Sequence, residues 1–153
     1  MLEKISLKPI GFVSSPVTKR TDENWGQVVS RIVLQHEYAG GLLGLGDFSH
    51  AIVVTYLHEA KYDPPKHIRR RPRGLEYMPE VGIFSQRAKN RPNSIGVTAV
   101  TIVKVGDDYL EVRGLDAVNN TPVLDIKPYY PQYDRIDLAS VPGWVNELMA
   151  DYF

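Results

Sequence analysis

Three fixed positive charges fall within five residues of the stretch GIFSQRAKNRPNSIG, residues 82–96. Its cations are Arg87, Lys89 and Arg91. Pro92 fixes its own φ and favours an extended conformation of the residue before it, while Gly96 permits another group to approach the backbone closely. The pattern is typical of a preformed pocket for an anion or a nucleotide, and also of an ordinary solvated basic loop.

A second group of cations lies in segment 59–79, which contains the sequence KHIRRRPRG. Its four prolines oppose regular structure, so we expect a mobile loop. Arginine suits phosphate both as a charge and as a bidentate donor, and the candidate RNA contacts are Arg69, Arg70 and Arg71. The alternatives are a loop that clamps an RNA phosphate backbone and a solvated loop without a ligand.

Charged residues also interrupt the apolar sequence of residues 114–131, GLDAVNNTPVLDIKPYYP. Asp116 precedes a turn at two asparagines, and Asp125 and Lys127 follow it. The period-2 geometry of a strand places Asp125 and Lys127 on the same face. They either form a structural ion pair or belong to a polar site, and the residues alone leave both alternatives open.

Several classes of active site find no support in the sequence. The chain has no cysteine, which excludes disulfides, thiolate nucleophiles and cysteine-ligated zinc. It contains no glycine fingerprint for a dinucleotide, no P-loop and no GxSxG elbow. His50 and His58 share a face of one predicted strand but lie far apart along it, so we expect no metal site.

The loop at 82–96 must be positioned by the elements on either side of it. Val81–Phe84 and Ile95–Val105 are both predicted to be buried strands that hold its two ends in a sheet. Further strands are predicted over residues 5–13, 27–35, 50–58, 109–114 and 122–126, with the apolar run 50–58 in the centre of the sheet. Helical spacing predicts a short, glycine-weakened helix over 36–45 and another over 141–153.

Strands joined by tight turns favour a closed or nearly closed β-barrel over a parallel sheet, with a three-residue hairpin at 106–108. A chain of 153 residues suits one domain, which we expect to cover residues 1–153. Eighteen basic and eighteen acidic residues cancel, so any nucleic-acid binding must be local. No apolar run is long enough to span a membrane, and we expect a soluble, cytoplasmic protein.

Four motifs together resemble one known family over nearly the whole chain. They are IGFVSSP (10–16), LLGLGDFSHAIVVTYLH (42–58), GIFSQRAKNRPNSIGVT (82–98) and LDAVNNTPVLDIKPYYP (115–131). In this order and at these separations they are similar to the TsaA-like family, whose best-known members are the TrmO-type tRNA methyltransferases. The resemblance implies a β-barrel that binds S-adenosylmethionine and forms a homodimer with the cofactor site near the subunit interface.

The resemblance also implies an activity, the transfer of a methyl group from S-adenosylmethionine to N6 of threonylcarbamoyladenosine next to the tRNA anticodon. The acceptor would then be tRNA or another RNA-borne group. Longer members carry a C-terminal extension, and we expect this chain to be a short form without it. The alternative function is a non-catalytic β-barrel that binds RNA or a nucleotide.

The motif positions imply which residues form the site. The cofactor-binding candidates are Glu23, Asn24, Trp25, His58, Glu59, Arg87, Ile95, Asn119, Asn120, Thr121 and Pro122. The substrate-binding candidates are Arg69, Arg70, Arg71, Arg91 and Asn93, and the candidates for orienting the acceptor nitrogen are Asp116, Asp125 and Lys127. Either Arg87 or Arg91 could hold a carboxylate of the cofactor or substrate. Trp25 could stack on adenine or anchor its loop to the core.

Overall fold

The computed structural model describes residues 3–153, and most of its regular structure is β-strand. The strands are β1 (Gly11–Ser14), β2 (Val29–Leu34), β3 (His50–Tyr56), β4 (Arg69–Arg70), β5 (Val81–Gly82), β6 (Ile95–Val105), β7 (Tyr109–Arg113) and β8 (Pro122–Pro128). The α-helices are α1 (Pro64–His67), α2 (Pro131–Asp134) and α3 (Gly143–Leu148). The predicted class, mainly β with short helices, is confirmed.

Six strands form a closed barrel in the order β1-β2-β7-β6-β3-β8, and every neighbouring pair is antiparallel. Because the barrel is closed, each strand is hydrogen-bonded along both of its edges, and no edge strand is left as in an open sheet. The interior is filled by branched aliphatic side chains with almost no exposure, among them Val13, Ile32, Val53, Val100 and Leu110. The predicted closed barrel is therefore confirmed.

The apolar strand β3 lies between β6 and β8. Its register with β6 runs without interruption from His50 opposite Thr101 to Tyr56 opposite Ile95. Alternate residues of β3 are buried, because successive side chains of a strand point to opposite faces. The predicted strand is confirmed, although it ends at Tyr56 and does not reach His58. Its predicted central position has no counterpart, because every strand of a closed barrel has two neighbours.

The sequence also predicts the faces of β2 and the β6–β7 connection. In β2, Val29 and Val33 are exposed, whereas Ile32 and Leu34 face the core, as the alternation indicates. Residues 106–108 join β6 to β7, which is the predicted three-residue hairpin. Side chains alternate between the two faces of a strand, and hairpin turns have characteristic residues, so both features can be predicted without knowledge of the fold.

The segment before the basic loop departs from the prediction. Val81–Phe84 was expected to be a buried barrel strand, but only Val81–Gly82 is extended, and it pairs with β4 in a separate two-stranded sheet. Residues 83–85 form a 3-10 turn in which Phe84 is exposed. The prediction was wrong because a short apolar run does not distinguish a barrel strand from a turn with one buried residue.

Segment 59–79 is more regular than its prolines suggest. Pro64 begins α1 and Pro72 begins a 3-10 turn, because the fixed φ of proline suits the first residue of a helix. The expectation that prolines exclude regular structure from this segment was therefore wrong, and its mobility stays a prediction. The first strand is also shorter than predicted, since β1 begins at Gly11 and not at residue 5.

The helices are shorter than their sequence patterns indicate. The stretch 36–45 contains the 3-10 helix His36–Leu42, followed by a 3-10 turn at Leu45–Asp47, in agreement with the weakening effect of its glycines. The C-terminal helix ends at Leu148, so the predicted continuation to residue 153 was wrong. Backbone hydrogen bonds from the loop before β2 to Asp151 and Tyr152 replace that continuation.

Among residues 3–153, no helix combines the length and the apolar character needed to cross a membrane.

Candidate functional site

An outer cavity of about 380 Å³ opens on the barrel wall. Its lining consists of Ile5, Leu7, Pro9, Tyr56, Asn93, Ile95, Pro122 and Leu124. Three of these were predicted from the sequence, namely Asn93, Ile95 and Pro122. The volume falls within the range of roughly 300 to 1,000 Å³ that is usual for small-molecule sites, and the apolar lining with one amide suits a nucleoside.

The ends of β3 and β6 build one wall of the outer cavity. Ile95 is the first residue of β6 and is aligned with Tyr56, the last residue of β3. Ser94 has a φ of 47°, which turns the chain into β6, and its carbonyl accepts a 2.8 Å hydrogen bond from Leu57 N. A Cβ on Gly96 would lie 2.6 Å from Thr55 Oγ1, so the close approach predicted at this glycine is confirmed.

The predicted anion-binding arginines of the basic loop have different environments. Arg91 is half-buried, and its Nη1 donates to the carbonyl oxygens of Gln86 at 2.8 Å and Ala88 at 3.3 Å. Arg87 is exposed and its Nη2 donates to Val97 O on β6. Arg91 therefore shapes the loop, whereas Arg87 keeps further donors accessible beside the barrel wall.

A second polar group, which we call the interior cluster, consists of Thr98, Asp116 and Tyr152. The two hydroxyl groups donate to different oxygens of the Asp116 carboxylate. Burial raises the pKa of Tyr152 well above its ordinary value, and the negative charge of Asp116 raises it further. Tyr152 therefore remains a neutral hydrogen-bond donor throughout the physiological pH range.

The loop of Glu23, Asn24 and Trp25 is attached to the end of the chain. Asn24 N and Trp25 N each donate a 2.8 Å hydrogen bond, to the carbonyls of Asp151 and Tyr152 respectively. The Trp25 side chain is only 3% exposed, and its Nε1 donates to Thr21 O at 3.0 Å. Of the two alternatives for Trp25, the structure supports the anchor, because a ring buried to this degree presents no face for stacking.

The predicted cofactor turn at 119–122 contributes mainly to the scaffold. Asn119 Oδ1 accepts a 3.0 Å hydrogen bond from Ser15 N, and Asn120 adopts a φ of 67°. Thr121 is buried and its hydroxyl donates to Val118 O at 2.7 Å. Pro122 is the member of this turn that lines the outer cavity.

His58 and Glu59 follow β3 and are both exposed. Glu59 forms an ion pair with Arg20 at 3.5 Å. His50 and His58 were predicted to share a strand face, but β3 ends at Tyr56 and His58 lies beyond it. The Nδ1 atom of His50 lies 2.6 Å from Ser49 Oγ. Within residues 3–153, no group of three His, Asp or Glu side chains is arranged to hold a metal ion.

The three residues predicted to orient the acceptor do not come together. Thr98, which binds Asp116, is aligned with the buried Val53, whereas Asp125 is aligned with the adjacent residue Val54. Neighbouring residues of a strand point to opposite faces, so Asp116 is bonded on the inner face and Asp125 lies on the outer face. Asp125 is paired with Lys127 at 2.7 Å.

The three predicted RNA contacts of the basic segment are also separated. Arg69 forms an ion pair with Glu80 at 2.6 Å, and Arg71 Nη1 donates to Met78 O. Arg70 is half-buried, and its carbonyl accepts a 3.1 Å hydrogen bond from Gln86 Nε2 of the basic loop. The backbones of Arg69 and Arg70 are both attached to the start of the basic loop, Arg69 by its pairing with Gly82 and Arg70 by the hydrogen bond from Gln86.

A second cavity, of about 420 Å³, lies at the 3-10 helices of residues 36–47. Leu42, Leu45 and Phe48 form part of its lining, and Asp125 borders it. Sequence reasoning missed this cavity, as it missed Tyr56 and Leu124 in the outer cavity and Tyr152 in the interior cluster. The alternation of β3 could have indicated Tyr56, but no local pattern connects Tyr152 with Asp116.

Comparison with known proteins identifies relatives of this barrel. Residues 16–135 match the family model described as the tRNA-methyltransferase O N-terminal domain. An S-adenosyl-L-methionine-binding protein of Archaeoglobus fulgidus is 38% identical over 135 residues, which are 86% of this chain and 94% of that protein. The human tRNA (adenine(37)-N6)-methyltransferase is 36% identical over 118 residues, which are 72% of this chain but only 23% of the enzyme.

The fold is also found in a solved structure. The crystal structure of TrmO from Pseudomonas aeruginosa matches with a TM-score of 0.72 and 27% sequence identity. The alignment covers 90% of this chain and 61% of the TrmO chain. The chain thus spans nearly the full length of a relative named for cofactor binding, and a smaller part of the relatives named as methyltransferases.

Proposed function

The chain belongs to the family of the tRNA-methyltransferase O N-terminal domain, and from this premise we propose that it is an S-adenosylmethionine-dependent methyltransferase acting on an RNA-borne acceptor. The proposed substrate is threonylcarbamoyladenosine next to the tRNA anticodon, at which N6 would be methylated. The single observation that carries the proposal is the outer cavity, which unites Asn93, Ile95 and Pro122 at the ends of β3, β6 and β8. We take residues 1–153 as one TsaA-like domain working in the cytoplasm.

The outer cavity has the chemistry that a nucleoside cofactor requires. Tyr56, Ile95 and Leu124 offer apolar contact to an adenine ring, and the Asn93 amide makes no side-chain hydrogen bond within residues 3–153. An amide that is free to donate and accept can pair with the polar edge of a base. When bound, S-adenosylmethionine supplies an electrophilic methyl group on a positively charged sulfur.

The contribution of the protein is positioning and electrostatics, because methyl transfer from a sulfonium needs the nucleophile in line with the breaking bond. Arg87 is accessible beside Val97 on the same strand as Ile95 and is the candidate for the carboxylate of the cofactor. Asp125 of β8 is aligned with Val54, which points outward two residues before Tyr56 on β3. Together with Lys127, Asp125 is the candidate for orienting the acceptor. Asp116 supports the site from within by fixing Tyr152 and, through it, the Glu23–Trp25 loop.

We further propose a homodimer with the cofactor site near its interface. Apolar side chains at the rim of the outer cavity are exposed, namely those of Ile5, Leu7 and Tyr56, and Val97 continues the same surface. Such a contiguous apolar surface favours contact with a protein partner. In sedimentation-velocity measurements we expect wild type to be dimeric and Val97→Glu to be monomeric; a monomeric wild type at all concentrations would contradict this proposal.

A matched pair of substitutions on β6 tests the cofactor site. Ile95 is 38% exposed in the outer cavity and Val103 is 41% exposed near the other end of the strand. We expect Ile95→Glu to weaken S-adenosylmethionine binding at least tenfold in calorimetric titration, because it places a carboxylate in an apolar pocket. Val103→Glu should retain the affinity of wild type.

Methyl transfer is measured in the same preparations, with labelled S-adenosylmethionine and tRNA that carries threonylcarbamoyladenosine. Label in the modified nucleoside would support the enzyme. Cofactor binding without transfer would instead support a non-catalytic barrel that binds RNA or a nucleotide. Equal affinities of Ile95→Glu and Val103→Glu would show that the outer cavity is not the cofactor site.

A further inference from the structure

Three cations from separate segments converge beside the basic loop, and we call them the cationic cluster: Arg20, Arg70 and Lys89. Lys89 is half-buried and belongs to the loop itself. Burial lowers the pKa of Lys89, and the positive charges of Arg20 and Arg70 lower it further, with Arg20 the stronger of the two. Arg20 is held at the same place by Glu59, since its Nη1 donates to Glu59 O at 3.4 Å and its Nε lies 3.5 Å from the Glu59 carboxylate. Each of the two arginines is therefore close enough to Lys89 for their positive charges to repel.

The frame that holds the cationic cluster is well defined. Gln86 Nε2 donates to the carbonyls of Arg70 and Val81, at 3.1 Å each, which fixes the start of the loop against β4 and β5. Asn90 Oδ1 accepts a 3.0 Å hydrogen bond from Lys61 N, which fixes the far side of Lys89 against the segment after β3. The charges thus converge on a structured junction and are not carried by a free loop.

The acidic groups near Lys89 are already engaged with other cations. Asp22 and Glu59 partly offset the lowering of its pKa, but Glu59 is paired with Arg20 at 3.5 Å and Asp22 with Arg73 at 3.7 Å. Among residues 3–153, neither Arg70 nor Lys89 forms an ion pair. Their neighbours differ in this respect, since Arg69 is paired with Glu80 at 2.6 Å and Lys66 with Asp63 at 3.4 Å.

We propose that Arg20, Arg70 and Lys89 bind a phosphate of the RNA backbone close to the methyl acceptor. An oxyanion with several acceptor oxygens would satisfy the two unpaired cations and relieve the repulsion within the cationic cluster. Lys89 and Asn93 belong to the same loop, and four residues of chain span at most about 14 Å, so the phosphate would lie near the outer cavity. This inference rests on the proposed RNA-borne acceptor.

The test is the salt dependence of RNA affinity, because each phosphate contact releases condensed counterions. The probe is a fluorescein-labelled, unmodified anticodon stem-loop, whose binding is followed by anisotropy from 50 to 300 mM KCl. We expect the slope of log K against log salt concentration to decrease by about 0.7 to 0.9 in Lys89→Met and by about twice that in Lys89→Met combined with Arg70→Met. Lys66→Met removes the same charge from a paired lysine nearby and should leave the slope unchanged.

S-adenosylmethionine titration of the same variants separates the two sources of an oxyanion. Unchanged cofactor affinity with a decreased RNA slope would support the phosphate site. A loss of cofactor affinity with an unchanged RNA slope would assign the cationic cluster to the cofactor carboxylate and overturn the proposal, as would the absence of RNA binding by wild type. If RNA binds with the expected slopes but no methyl group is transferred, the proposed activity fails while the phosphate site stands.

Discussion

The interior cluster and the outer cavity are both built on β6, yet their polar groups are satisfied to different degrees. In the interior cluster, both oxygens of Asp116 accept hydroxyl hydrogen bonds, and the Trp25 indole nearby also has a partner. In the outer cavity, apolar side chains such as Ile95 are exposed, and the Asn93 amide has no side-chain partner within residues 3–153.

This difference separates the residues that maintain the fold from those available to a ligand. Buried polar groups that already have partners lose stability when one partner is removed, but they offer little to an incoming molecule. Exposed apolar surface and unpaired donors contribute little to folding and retain their capacity for binding. Substitutions in the interior cluster should therefore change the free energy of unfolding, and those around the outer cavity should change affinity or activity.

The largest effect is expected for Trp25→Ala. The substitution empties a nearly completely buried site and removes the hydrogen bond to Thr21 O, so the free energy of unfolding should fall by about 3 to 5 kcal/mol. Denaturation with urea measures the change. Trp144 on α3 is only half-buried, and Trp144→Ala should cost clearly less; equal losses would show that Trp25 is not the principal anchor.

The next largest effect concerns the hydroxyl groups on Asp116. Asp116→Ala leaves the hydroxyls of Thr98 and Tyr152 without their acceptor, which should cost about 1 to 3 kcal/mol. Tyr152→Phe removes only one donor and should cost less than Asp116→Ala. Urea denaturation measures both losses. A larger loss in Tyr152→Phe than in Asp116→Ala would show that the Tyr152 hydroxyl contributes mainly through a partner other than Asp116.

Alkaline pH tests the same cluster without a substitution. The pKa of Tyr152 is raised in the folded protein, so its contribution to stability is complete below the pKa of unfolded tyrosine, 10.0, and is lost as the pH rises above that value. Wild type should therefore lose stability above about pH 10 more steeply than Tyr152→Phe. Parallel pH profiles of the two proteins would contradict the assignment of this tyrosine.

The parts of the molecule that could be predicted from the sequence are those set by neighbouring residues. The faces of β2 and the 106–108 hairpin follow from local periodicity and turn chemistry, and they are confirmed. Ile95 and Pro122 were placed in the cofactor site through motif resemblance, and both line the outer cavity. That S-adenosylmethionine contacts them stays a prediction.

The contacts that could not be predicted join residues far apart in sequence. Asp116 and Tyr152 are 36 residues apart, and the hydrogen bond between them depends on the C-terminal chain leaving its helix at Leu148. A helical pattern over residues 141–153 gave no indication of that departure. The Trp25 loop is likewise held by backbone hydrogen bonds to the same terminal residues, which no local pattern indicates.

A smaller effect, on binding alone, is expected for Arg87→Ala. Loss of the proposed charge-assisted contact with the cofactor carboxylate should weaken S-adenosylmethionine binding about tenfold in calorimetric titration. The denaturation midpoint should hardly change, because the side chain is exposed. Arg135→Ala, which removes an exposed arginine near α2, serves as the control and should bind as wild type does. Full affinity in Arg87→Ala would remove this arginine from the site.

The smallest effect on stability is expected for Lys127→Met, and this substitution tests the comparison most sharply. Lys127 and Asp125 form an exposed ion pair, and such pairs contribute little to folding, so the denaturation midpoint should not change. The pair nevertheless lies on the outer face of the barrel wall, on the strand that also supplies Leu124 to the outer cavity. If it orients the acceptor, kcat for methyl transfer should fall while the affinity for S-adenosylmethionine is retained. Lys104→Met, on the exposed side of β6, is the matched control, and equal activity in both variants would make the Asp125–Lys127 pair a structural contact only.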